Sequence, residues 1–86
     1  MDKKDIILKK LEKIFQVVFD DDDINLTYKT SALDIEEWDS LNQIKIILAC
    51  EKEFLVRLNP REVNSFANLK EMVEHLISIN AKFSRN

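Results

Sequence analysis

An all-α four-helix bundle is what this sequence predicts, and three features carry the prediction. The chain holds no Gly and a single Pro, so left-handed turns and β-hairpins have little support. Leu, Ile, Lys and Glu dominate, and these residues favour helix. Apolar residues recur at spacings of three and four along most of the length. With 86 residues, 45% of them apolar, there is enough material for one domain, 1–86, with its own core.

The first helix is expected over about residues 3 to 19, where Ile7, Leu11, Ile14 and Val18 form a stripe that Leu8, Phe15 and Phe19 widen. Asp20-Asp21-Asp22-Asp23 should stop it, because carboxylates oppose the dipole at a helix C-terminus. This acidic run lacks the Gly and the distal Glu of a calcium loop, so it reads as solvated surface. A long first loop follows, residues 20 to 39, with Leu26, Tyr28, Leu33, Ile35 and Trp38 available to pin it to the core. The second helix should run from about Ser40 to Leu55. Asn59 as cap with Pro60 at the first helical position opens a short third helix, Arg61-Glu62-Val63-Asn64. Asn68, with Glu71 three residues on, opens the fourth, whose stripe is Leu69, Met72, Val73, Leu76 and Ile77. The tail after about Asn80 should fray.

Composition narrows the function. The net charge of −3 points away from nucleic acid. No apolar run is long enough to span a membrane. Cys50 is the sole cysteine, which rules out an internal disulfide; with no apolar signal core behind Met1, the chain reads as cytoplasmic. No His/Cys group has metal-binding spacing, and without Gly there is no phosphate-cradling loop. His75, the single histidine, is expected on the surface and Cys50 in the core, so no catalytic pair is suggested and the chain reads as a non-enzyme. Nothing suggests an obligate dimer, and a monomer is expected.

Two features of the second helix stand out. Ser40 lies where the acidic loop gives way to the helix, and Ser40 with Gln43 fits a capping box. A hydroxyl there is either only an N-cap or a site for a phosphate ester, since a helix N-terminus accepts negative charge. The helix also carries two apolar faces: Ile46, Ile47, Cys50 and Phe54 beside Gln43 on one, and Leu41, Ile44, Leu48 and Leu55 with Lys45 and Lys52 on the other. The second stripe is either covered by the long loop or a docking strip.

Asp39-Ser40-Leu41, then Ile44, Ile47 and Glu51-Lys52-Glu53-Phe54, resemble the acyl carrier protein family over nearly the whole chain, to Asn68-Leu69-Lys70-Glu71-Met72-Val73. The resemblance implies a four-helix bundle of acyl-carrier type: three longer helices, one short third helix and the long first loop. It implies a 4′-phosphopantetheine arm, derived from coenzyme A, on Ser40, with Asp39 read by the phosphopantetheinyl transferase. Leu41, Ile44 and Leu48 match partner-contact positions of the family, and Glu51 and Glu53 its acidic recognition positions. The implied partners are the transferase, an acyl- or aminoacyl-loading ligase, and a synthase or acyltransferase. Glu37 stands where the family often has Gly, Trp38 where small residues are frequent, Lys45 and Lys52 where fatty-acid carriers are often acidic, and Leu55 where a polar residue or Gly is common. Glu-Trp-Asp-Ser-Leu-Asn is more similar to discrete carriers of polyketide, nonribosomal-peptide or surface-saccharide pathways than to those of fatty-acid synthesis. The competing expectation is a cofactor-free helical adaptor that binds a partner through Leu41, Ile44 and Leu48.

Overall fold

The computed structural model describes residues 2–35 and 38–79. Within them lie α1 (Lys3–Val18), α2 (Ser40–Phe54), α3 (Pro60–Asn64) and α4 (Leu69–Ser78), with one 3₁₀ turn at Ala32–Asp34 and no strand. The expected fraying after Asn80 concerns positions outside the described residues. α1 packs on α2 and on α4, and α3 lies against α2.

The core follows the helical stripes. Ile7, Leu11 and Phe15 of α1, Ile46, Ile47, Cys50 and Phe54 of α2, and Leu69, Met72, Val73 and Leu76 of α4 meet in one buried cluster, with Val63 from α3. Ile77 sits half-buried at its margin. Burial pushes the Cys50 thiol up to about 12, so it stays protonated and packs as a small apolar side chain.

Both α1 and α2 end on a left-handed residue, and without Gly the chain uses Asp20 (φ 51°) and Leu55 (φ 56°). After α1, Asp20 N–H donates to Val17 and Asp21 N–H to Gln16, the double bond of a Schellman stop. After α2, Val56 N–H reaches back to the Glu51 carbonyl in the same way. Asp tolerates this conformation; Leu pays a steric cost of about 1 kcal/mol. Because Leu55 is 64% exposed, little burial is lost by removing it. Leu55→Gly is therefore expected to stabilise the domain by about 0.5–1 kcal/mol, seen as a melting temperature a few degrees higher. A lower melting temperature would show that its side-chain packing outweighs its backbone strain.

The long loop is held by side chains of α1 and by α4. The Glu12 carboxylate accepts from Leu26 N–H at 2.9 Å, Gln16 donates to the Ile24 carbonyl at 3.0 Å, and Tyr28 donates its hydroxyl to Asp5. The first turn of α4 has three amides without intrahelical partners, and all three are used. Leu69 and Lys70 donate to the loop carbonyls of Thr30 and Tyr28, while the Asn68 side chain accepts from Glu71. Leu26 is buried, and Tyr28, Ile35 and Trp38 pack half-buried as anchors. Leu33 does not: it is 97% exposed at the apex of the 3₁₀ turn that reciprocal Ser31–Asp34 hydrogen bonds close. His75 departs from its expected surface position as well. It is tucked between α4 and α3, its ring 5.3 Å from Phe66 and its Nε2 3.5 Å from the Glu62 carboxylate.

Candidate functional site

The N-terminus of α2 forms the site, and its register differs from the expected one. Asp39, not Ser40, is the N-cap: its backbone is extended and its carboxylate accepts from Asn42 N–H at 2.9 Å. Ser40 is the first helical residue. Asp and Ser cap equally well, so the choice falls to whichever side chain reaches the first-turn amides, and that is Asp39. Gln43 takes no part in a capping box. Its side-chain oxygen accepts from the Trp38 indole N–H, and its amide nitrogen donates to Asn64 of α3 at 3.0 Å. A relay thus runs from the loop through α2 to α3. Trp38 is steadied further by an edge-on contact with Phe15, centroids 5.0 Å apart at 89°.

Relieved of capping, the Ser40 side chain is exposed. It stands on the lip of a cavity of about 580 Å³ between α2, α3 and the loop, a size usual for small-molecule sites. Phe15, Ile47, Val63 and Met72 supply apolar lining, and the Trp38–Gln43–Asn64 relay supplies a polar margin. The start of a 15-residue helix favours a negative substituent on Ser40, while the adjacent Asp39 carboxylate opposes one. Around this position the chain offers an accessible nucleophilic oxygen, and among the described residues no hydrogen bond joins the Ser40 hydroxyl to a base. Among the described residues no cluster of His, Cys, Asp or Glu can hold a metal ion, and no helix is long and apolar enough to cross a membrane.

The model of the family described as the phosphopantetheine attachment site matches residues 9–76. The chain belongs to the acyl carrier protein family. A solved relative, a holo acyl carrier protein from Geobacter metallireducens, is 35% identical; it superposes with a TM-score of 0.75 over 84% of this chain and 83% of that one. Among curated proteins there is no match. The all-α bundle with a short third helix is the acyl carrier fold, and 4′-phosphopantetheine is the covalent cofactor of the family.

The other expected site residues separate into two groups in this acyl carrier bundle. Leu41, Ile44 and Leu48 are 61%, 53% and 60% exposed, so the loop does not cover the second apolar face, and Lys45 lies exposed among them. Glu51 and Glu53 lie on the flanks, half-buried, with their carboxylates engaged inside the chain. Glu51 accepts from Leu58 N–H at 2.8 Å, and Glu53 pairs with Lys10 of α1 at 3.2 Å. Asn64 is a site residue that sequence reasoning missed. It stands 21 positions from Gln43 on a five-residue helix, which is too short to show periodicity.

Proposed function

We propose that Ser40 carries the 4′-phosphopantetheine arm and that the chain is a discrete, monomeric carrier of acyl or aminoacyl groups for a dedicated biosynthetic pathway. The observation behind this reading is the placement of Ser40: exposed, first in α2, beside a cavity, and free of any capping duty. In the modification, the Ser40 oxygen forms a bond to the phosphorus that bears pantetheine. The bond from that phosphorus to the adenosine bisphosphate half of coenzyme A breaks, and the hydroxyl proton passes to a base of the transferase. The attached group supplies a terminal thiol that holds its cargo as a thioester. The residues of this chain need only present that thiol at high local concentration to successive enzymes. The domain itself is then a substrate of a phosphopantetheinyl transferase, a loading ligase and a synthase or acyltransferase. A polyketide, nonribosomal-peptide or surface-saccharide pathway is favoured over fatty-acid synthesis by Lys45 and Lys52 on the exposed face of α2.

Incubation of the chain with a phosphopantetheinyl transferase, coenzyme A and magnesium is expected to add one phosphopantetheinyl mass, located by fragmentation on Ser40. No gain in mass would leave the cofactor-free adaptor, for which the exposed Leu41, Ile44 and Leu48 are the supporting feature.

A further inference from the structure

Resting on the carrier reading, we infer that the exposed face of α2 docks a protein partner whose apolar recess is rimmed with carboxylates, and that Lys45 and Lys52 select it. At 100° per residue, Leu41, Lys45, Leu48, Lys52 and Leu55 fall within one stripe roughly 80° wide. The three leucines are 61%, 60% and 64% exposed, and both lysines are exposed between them. Among the described residues neither lysine has a carboxylate within ion-pair distance, and three nearby described carboxylates are engaged elsewhere. Asp39 caps the helix, Glu51 holds the Leu58 amide, and Glu53 holds Lys10. The stripe therefore carries two positive charges and no negative one, although the whole chain has a net charge of −3.

That pattern points to one kind of partner. Docking the leucines into a recess takes both ammonium groups partly out of water, which is costly unless each meets an anion. A partner with carboxylates at its rim gains on encounter, and one with a basic rim is repelled, so discrimination comes from repulsion as well as attraction. An amphipathic helix lying on a lipid surface would separate its lysines from its leucines, one class to each face. Here they alternate along a single line, which fits the separate pockets and side chains of a protein surface.

The test is a double-mutant cycle on arm transfer. The wild-type chain and K45E/K52E are each treated with a broad-substrate phosphopantetheinyl transferase and with the same enzyme after the basic residues around its docking recess are replaced by Glu. Wild type is expected to be modified more efficiently by the Glu-bearing enzyme, and K45E/K52E by the unaltered one. The cycle should amount to about fivefold or more in kcat/KM at low ionic strength, carried mainly by KM. It should collapse near 1 M salt, where the screening length is about 3 Å. With the unaltered enzyme alone, efficiency should rise from wild type through K45Q/K52Q to K45E/K52E. The same efficiency for all three chains, each modified and each with unchanged helicity, overturns the inference and leaves the carrier reading standing. Failure of every chain to gain mass overturns the carrier reading itself.

Discussion

Ser40→Ala is expected to abolish arm attachment completely while leaving the bundle as stable as before. The first half follows from the chemistry: a methyl group has no oxygen to join to phosphorus. The second half follows from the position of Ser40 within α2. Were Ser40 the N-cap, Ala would cost about 1 kcal/mol through the lost bond to a first-turn amide. Asp39 makes that bond instead, and the Ser40 side chain is exposed at the first helical position. Ala is the better helix former there, so the net change should stay within about 0.5 kcal/mol. Intact mass after transferase treatment reads the first effect and thermal unfolding the second. Any phosphopantetheinyl mass on the Ala variant would assign the arm to another residue. A marked fall in melting temperature would show that Ser40 supports the helix start after all. Asp39→Ala is the informative contrast, because it removes the cap and leaves the nucleophile.

How far the sequence is legible depends on how local each signal is. Asn59 before Pro60, and Asn68 three residues before Glu71, announce α3 and α4 at the residues where they begin, because a cap and its amide lie within one turn. The two faces of α2 are equally local, and the stripe of Leu41, Ile44 and Leu48 is exposed as periodicity alone allows. Legibility fails where two neighbours compete for one role. Asp39 and Ser40 are both good caps, and only the path of the backbone decides between them. It fails again where an apolar residue lies in a tight turn: Leu33 resembles the anchors Leu26 and Ile35 in composition, yet hydrogen bonding between Ser31 and Asp34 leaves it outside. It fails altogether for the cavity and its relay, because Trp38, Gln43 and Asn64 come from three elements and meet only once the chain has folded. The nucleophile of the proposed site is thus readable in the chain, and the enclosure around it is not.

That enclosure rests on Phe15, and Phe15→Ala should be among the most damaging single substitutions. Phe15 is 2% exposed, packs edge-on against Trp38, lies 6.0 Å from the Phe19 ring, and also lines the cavity beside Ser40. Truncation removes the transfer free energy of the ring and the contacts of its neighbours, about 3–5 kcal/mol in all. A domain of 86 residues has about 4–13 kcal/mol to lose at 0.05–0.15 kcal/mol per residue. The variant should therefore unfold at a much lower urea midpoint with a similar slope. Trp38 is the only tryptophan, so its emission reports the same change locally: without the ring edge against it, emission from the folded variant should shift to the red. Phe15→Leu, which keeps part of the volume, should cost less and shift the emission less. Because the contact couples α1 to the residue immediately before Asp39, the Ala variant should also be a poorer transferase substrate at temperatures where it remains folded. A loss below about 1 kcal/mol with unshifted emission would mean that the space beside Ser40 closes over the missing ring, so that Phe15 does not set the shape of the cavity.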